Sequence, residues 1–391
     1  MSSGNGASFQ QAVEAAKQGD PRAQFDLGVM YHEGQEVRRN FEQARTWYQR
    51  AAARGFAKAE LNLGFLYYNG EGVRQNFAQA REWFQRAAGQ GLAPAAHNLG
   101  VIYYNGEGVQ QNFAQAREWF QRAADQGLAD AELNLGVMHA RGEGDEQNFE
   151  EARTWFERAA DQGFAEAEYN LGVIYQNGQG VPQNFEEACK WYKRAADQGW
   201  AEAEYNLGVM YHDGQGVQQN DEEAVALYQK AADQGLALAQ NNLGWMYENG
   251  RGVLQNDGKA VALYQKAAEQ GLALAQNKLG EMYLGGRGVP KSRAQAVRWN
   301  RKAADQSFAE AEYNLGVMYH KGQGVQKNFE EARKWYQRAA GQGDAQAEFN
   351  LGVMYYNGEG VQPDPAQARY WLQRAAKQSY RPAIDALKSL V

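Results

Sequence analysis

A chain of 391 residues with 47 acidic and 40 basic side chains carries a net charge of −7, without the basic footprint that dominates nucleic-acid affinity. No apolar run approaches the ~20 residues a bilayer crossing needs, and the opening MSSGNGASFQQ contains no signal-type apolar stretch. A single cysteine, Cys189, excludes an internal disulfide framework and fits a reducing, cytoplasmic compartment, with export on a signal outside this sequence as the alternative.

In chain order, residues 1–20 come first, and their Ala15, Ala16 and Gly19, with Ala23 beyond, match the second helix of a repeat and its exit. This segment is expected to form an N-terminal capping helix. From residue 21 to 380 the chain repeats itself. A Leu-Gly pair recurs at Leu27, Leu63, Leu99, Leu135, Leu171, Leu207, Leu243, Leu279, Leu315 and Leu351, always 36 residues apart. With each leucine as position 0, position +4 is Tyr except at His139, +7 is always Gly, +17 always Ala, and +24/+25 always Ala-Ala. Gly-Val stands at +9/+10 in eight repeats, Asn at +13 in eight and Trp at +20 in eight. Periodicity of this strictness is the signature of a stacked-repeat architecture. It sets ten units, 21–56, 57–92, 93–128, 129–164, 165–200, 201–236, 237–272, 273–308, 309–344 and 345–380. Residues 381–391 follow, with Ala383 and Leu387 matching the start of a further first helix, and are expected to cap the C-terminal end.

Within a unit the spacing predicts two helices. In helix A, for example Ala57–Asn69, apolar residues at −4, 0, +3 and +4 form a 3.6-period stripe, and Gly70 ends it. Asn76 is set to cap helix B, with Gln79 three residues on completing a capping box, and Asn184 with Glu187 repeating the device. Helix B then turns Ala80, Trp83, Phe84, Ala87 and Ala88 inward and stops at Gly91. The glycine after each leucine sits mid-helix at a cost of ~1 kcal/mol relative to Ala, and the expected compensation is close approach of another backbone. Glu36 in place of the second turn glycine, and Asp145 in place of the turn valine, predict that these two turns differ in shape.

The pattern Ala-x3-Leu-Gly-x2-Tyr-x2-Gly-x-Gly-Val, then Ala-x2-Trp-x3-Ala-Ala-x2-Gly-x-Ala-x-Ala, carried in full by Ala59, Leu63, Gly64, Tyr67, Gly70, Gly72, Val73, Ala80, Trp83, Ala87, Ala88, Gly91, Ala93 and Ala95, resembles the Sel-1-like repeat family, relatives of the tetratricopeptide repeats. The resemblance implies an all-α fold, a right-handed α-α superhelix (solenoid), and a non-catalytic scaffold or adaptor that binds a partner protein or peptide. It permits a bacterial immunity or host-interaction protein, and, further off, a β-lactam-binding or hydrolysing enzyme. The subgroup tied to β-lactams has two cysteines per repeat, whereas this chain has one in total.

The residues themselves carry little chemistry. The Gly-x-Gly turns follow helices and lack the Lys-Ser/Thr of a phosphate loop. The five histidines do not gather the three or four ligands zinc requires, and Cys189 has no histidine placed near it by the repeat, so neither a metal, a cofactor nor a catalytic residue is expected. The Glu-Glu-Ala runs read as helix-start charges. What remains is the face of helix A opposite the core, at positions −2, +2 and +5. Valine fills +2 in seven repeats, and aromatics recur on either side. The candidate partner-binding residues are Tyr68, Tyr104, Tyr169, Tyr205, His212, Trp245, Tyr313 and Tyr356. The competing reading makes the same stripe inter-repeat packing. The asparagines at −1, such as Asn62 and Asn242, either bond a bound peptide's backbone or bridge adjacent helices. Repeats seven and eight depart from the pattern with Trp245, Glu248, Lys278, Glu281 and Leu284, and are expected to form a distinct sub-site. The expected partner is another protein, bound by a monomer, with no nucleic acid and no membrane insertion.

Overall fold

The computed structural model describes residues 5–389, which hold 22 α-helices and no strand. The chain divides between Ala195 and Ala196 into two compact units. The first opens with a lone helix, α1 (Asn5–Lys17), followed by the A/B hairpins α2/α3 (Pro21–Glu33, Phe41–Ala52), α4/α5 (Ala57–Asn69, Phe77–Gly89), α6/α7 (Ala93–Asn105, Phe113–Ala124) and α8/α9 (Ala129–Arg141, Phe149–Asp161). Then come α10 (Ala165–Asn177) and α11 (Phe185–Asp197), the last of which runs into the division. The second unit holds α12/α13 (Ala201–Asp213, Asp221–Asp233), α14/α15 (Ala237–Asn249, Asp257–Glu269), α16/α17 (Ala273–Gly285, Arg293–Asp305), α18/α19 (Ala309–Lys321, Phe329–Gly341) and α20/α21 (Ala345–Asn357, Pro365–Lys377), and ends on a lone α22 (Arg381–Ser389). Ala16 of α1 and Ala383 of α22 are buried against the neighbouring hairpins.

Each hairpin is built around the Leu-Gly pair. A Cβ on Gly64 would lie 2.3–2.5 Å from ring carbons of Phe84, and the same position meets Tyr48, Phe120, Phe156, Tyr192 and Tyr336 in other repeats. The first compensation for the helical glycine is therefore the side chain at +21 of the same repeat, a ring in eight of the ten; the expected backbone approach accompanies it in four repeats, where the added carbon would lie 3.2–3.4 Å from the Ala224, Ala260, Ala296 and Ala368 carbonyl oxygens of helix B. Burying such a ring contributes about 1.5–3 kcal/mol, which exceeds the ~1 kcal/mol that glycine costs. Phe84 is fully buried, whereas Trp83 beside it is only partly so. One residue along a helix is a rotation of 100°, so the ring at +21 takes the centre and the +20 tryptophan is left at the core's edge. There it is roofed by the cation three residues on, as in Arg86 over Trp83 at 4.6 Å and Arg158 over Trp155 at 4.5 Å.

The turns are locked by backbone bonds. Gly70 takes left-handed φ (77°) and donates its N–H to the Leu66 carbonyl at 2.9 Å. Gly72 also has positive φ, and a Cβ there would strike Phe41 of the preceding repeat at 2.5 Å. Asn76 caps α5 as expected, its side chain accepting from Gln79 N–H at 3.1 Å. The reciprocal half of a capping box does not form, because the Asn76 N–H is already given to the Tyr67 carbonyl at 2.8 Å, and Asn184 does the same with Tyr175. The two irregular turns keep the common shape. Glu36 adopts φ 57° in the left-handed region, and Asn148 still closes its loop onto the His139 carbonyl at 2.9 Å.

Gly64→Ala is expected to lower the urea midpoint by the equivalent of about 1–3 kcal/mol, the range for overpacking a filled core. Gly89→Ala, with nothing within 4 Å of the added carbon, should raise it by up to about 1 kcal/mol through helix propensity alone. Equal effects from the two substitutions would show that the ring contact does not control this position.

Candidate partner-binding face

The helix A stripe is half-buried rather than open. In the +5 column the side chains reach to position +8 of the following repeat. The Tyr104 hydroxyl donates to Glu143 at 2.8 Å, His32 lies 3.3 Å from Glu71, and His320 meets Glu359 at 2.7 Å. Tyr68 is hydrogen-bonded to Glu107, and burial together with that carboxylate pushes its phenol up to about 12. His212 instead bonds Asp221 at 2.7 Å and sets its ring edge-on to Trp245 at 5.4 Å. In the −2 column the rings lie on the buried ring at +21. Tyr169 stacks on Tyr192 at 5.8 Å, Tyr205 on Tyr228 at 5.9 Å and Tyr313 on Tyr336 at 6.0 Å, each tilted by about 40°. Of the eight candidates only Trp245 (37% exposed) and Tyr356 (57%) stand well clear of the protein.

Several −1 asparagines bridge repeats, while Asn98 and Asn170 donate to the Pro94 and Glu166 carbonyls of their own helices. Asn62 hydrogen-bonds Tyr48, Asn242 bonds both Tyr205 and Tyr228, and Asn134 meets the His97 ring at 2.9 Å. Bridging of adjacent helices is therefore the use made of Asn62, Asn134 and Asn242.

Repeat seven breaks the sealing. Position −2 is Asn241 in place of a ring, +2 is Trp245 in place of valine, and a cavity of about 260 Å³ stands between helices α12, α14 and α16. Its lining includes Trp245, Leu274, Tyr264, Asn241 and Lys278. The other residues expected to mark a sub-site are occupied elsewhere. Glu248 is held by Arg287 at 2.5 Å and Glu281 by Lys278 at 3.0 Å, while Leu284 packs into the core of repeats eight and nine. Leu238 and Leu274 were not anticipated on this face, yet the signal was available. Their column, −5, is charged in Arg22, Lys58, Asp130, Glu166, Glu202 and Glu310, and turns to leucine only in these two adjoining repeats.

A second set of residues escaped notice because their charge suggested solvent. Position −3 is buried, with Glu60, Glu132, Glu168, Glu204, Glu312 and Glu348 at 0–5% exposure. Glu132 is paired with Arg158 at 2.7 Å and accepts from Gln162 at 2.7 Å, and the same Arg158 donates to the Ala124 carbonyl of the preceding repeat at 3.0 Å. Arg194, Arg338 and Arg374 repeat the device on Ala160, Ala304 and Ala340. Where −3 is glutamine, its own amide makes that bond, from Gln240 to Ala232 and from Gln276 to Ala268. The acid is thus a joint between rungs. Burial raises the carboxyls of Glu60, Glu204 and Glu312 above the usual range. Cys189 is likewise buried, which pushes its thiol up to about 11 and leaves little thiolate at neutral pH. No group of three or more potential metal ligands occurs among the described residues. His139 and Asp145, the irregular residues of repeat four, line an open cavity of about 530 Å³, but they are paired with Glu151 and Arg117.

The Sel1 repeat model matches this chain ten times without a gap, over residues 21–56, 57–92, 93–128, 129–164, 165–200, 201–236, 237–272, 273–308, 309–344 and 345–380. The chain belongs to the Sel1 repeat family. Among solved structures it is similar to a protective antigen of uropathogenic Escherichia coli with an SLR fold, at 34% identity and TM-score 0.70, covering 96% of this chain and 88% of that one. A Sel1 repeat protein from Oxalobacter formigenes is 32% identical with TM-score 0.62, over 84% of this chain and 93% of that one. A curated relative, a chitin synthase regulator of Saccharomyces cerevisiae, matches at 50% identity over 44 residues, which is 11% of this chain and only 6% of that protein. Sel1 repeats form a helical scaffold of the kind that mediates protein–protein interaction, and the paired polar joints described above are the parts of this chain that hold its rungs in register.

Glu60→Gln tests the buried acid at −3. Because burial raises the Glu60 carboxyl, the folded chain holds its proton to higher pH than the unfolded chain does, and stability falls as pH rises through that interval. The amide can take the same bond from Gln90, as Gln240 does from Gln270 at 2.8 Å. The variant is expected to melt higher than the parent at pH 7 and equally at pH 4; a lower midpoint at pH 7 would contradict this.

Proposed function

We propose that the chain is a non-catalytic binding module that holds a partner protein or peptide on its helix A face, anchored in the second unit at repeats six to eight. The observation that carries this reading is where apolar surface is left uncovered. Of the five large hydrophobic side chains left exposed among the described residues, three are in repeat seven: Leu238, Trp245 and Leu254. Contiguous exposed apolar surface marks partner sites, and Leu238 and Trp245, seven residues apart on one helix, share a face.

The half-buried tyrosines suit a supporting role. Tyr205, Tyr313 and His212 in the second unit, and Tyr68, Tyr104 and Tyr169 in the first, present ring edges whose rotamers are already fixed by stacking or hydrogen bonds. Binding to such edges costs little further side-chain entropy. Tyr356, exposed in the last repeat, is a second contact point.

Panning a displayed random-peptide library on the purified chain provides the test. Enriched peptides are expected to lose at least about 30-fold in affinity to Trp245→Ala, the ~2 kcal/mol of a hot-spot residue, and less to Tyr356→Ala. Peptides that bind both variants as tightly as the parent would place the binding surface elsewhere.

A further inference from the structure

Most tryptophans of this chain supply their own cover. Each of the eight at +20 carries the cation three residues on over its ring, at 4.3–5.1 Å, as Arg338 does over Trp335. Trp245 stands on helix A instead, 37% exposed, T-shaped to His212 and with no cation over its ring among the described residues. Its neighbours on that face are apolar and reachable from solvent. Leu238 is 42% exposed, and half-buried Leu274 lines the same cavity of about 260 Å³ as Trp245.

The charge around this patch is one-sided. The five helices A of the second unit, α12, α14, α16, α18 and α20, contain eight acids against two lysines, Lys278 and Lys321, and no arginine. Glu248, Glu312 and Glu348 are matched by Arg287, Arg338 and Arg374. The −5 column of this unit runs Glu202, Leu238, Leu274, Glu310, which sets the two leucines between exposed acids that make no ion pair among the described residues. Lys278 lines the cavity and reaches Glu281 at 3.0 Å, so that acid lies within one long side chain of Trp245 and Leu274. Partial desolvation and the Glu281 charge raise the Glu310 carboxyl above its usual range, and Lys278 offsets this only in part. Two carboxylates here share one cation.

We propose that Trp245 and its flanking leucines bind a segment of a partner polypeptide in which an arginine or lysine adjoins an apolar side chain. The apolar side chain covers Leu238 and Leu274, and the methylene stem of the basic residue packs beside it. The cation lies over the exposed Trp245 ring, in the field of Glu281 and Glu310. The partner thus brings from outside the cover that the helix B tryptophans find in their own chain, while an acidic segment is repelled. This rests on the reading that the helix A face binds a partner chain, and narrows that partner to a basic and apolar segment.

Saturation-transfer NMR titrations with three acetylated, amidated pentapeptides test it: Leu-Arg-Leu-Arg-Leu, the same peptide with citrulline for arginine, and Leu-Glu-Leu-Glu-Leu. The arginine peptide is expected to bind roughly 10-fold more tightly than the citrulline peptide, which keeps the stem and loses the charge. The glutamate peptide should not bind measurably, and high salt should narrow the gap between the other two. Trp245→Ala and Glu310→Lys, both at exposed positions, should keep the melting midpoint and each weaken the arginine peptide by at least ~5-fold. Glu310→Lys should leave the citrulline peptide unaffected. Equal binding of the arginine and citrulline peptides, preference for the glutamate peptide, no binding of any, or undiminished binding of the arginine peptide to either variant would overturn the proposal. So would a dimer in light scattering that Trp245→Ala dissociates, which would give the patch to a second copy of the chain. The two readings fail separately. Panning that enriches acidic or uncharged peptides sensitive to Trp245→Ala would fault the charge preference alone, whereas arginine-peptide binding at Trp245 with enriched peptides bound elsewhere would fault the partner-binding reading alone.

Discussion

The contact on which each repeat depends is that of the +21 side chain with the bare Cα of the Leu-Gly glycine. It brings helix A and helix B close enough for the alanines at +17 and +24 to be buried completely. It also explains a feature that propensity alone would count as a defect. A glycine in mid-helix is unfavourable by itself, but here it is the socket for a fully buried side chain at the centre of the repeat's core. Where the ring is changed the socket is filled otherwise, by Asn300 against Gly280 and by Leu372 against Gly352.

The second layer of organisation joins one rung to the next through polar bonds made in the interior. The carbonyl at +25, at the end of one helix B, accepts from the following repeat, either from an arginine already paired to the −3 acid or from a glutamine at −3. Buried ion pairs contribute little net stability but are costly to break on one side. Their use at a repeat junction is to penalise any slip in register. The +5 to +8 contacts do the same on the other side of helix A, and reverse their polarity at Glu248 and Arg287.

Much of this was legible in the sequence because a repeat displays each environment many times. The helix pairs, the left-handed glycines and the asparagine caps follow from Leu63, Gly70 and Asn76 with no tertiary information. Residues whose partners lie outside their own helix were less readable. Trp83 and Phe84 are both aromatic and adjacent, and only the packing shows which is central. Glu132 looks like any solvated helix-start acid until Arg158 and Gln162 are seen closing over it. On the candidate face, position and residue type marked Tyr68, Tyr104 and Tyr205 as a stripe, but not that Glu107, Glu143 and Tyr228 already engage them. Repeat seven could be singled out from Trp245.

Turns of one shape, each closed by its own capping residue, confine a disturbance to the neighbouring rungs, since a stacked array couples only nearest neighbours. Repeats seven and eight exchange rings for amides, valine for Trp245 and Glu281, and acids for glutamine, while the regular pattern resumes with Tyr313 and Glu312 one rung later. Such a chain can specialise a single storey while the rest of the building keeps its plan, and selection for a new guest need alter only a handful of side chains at one level.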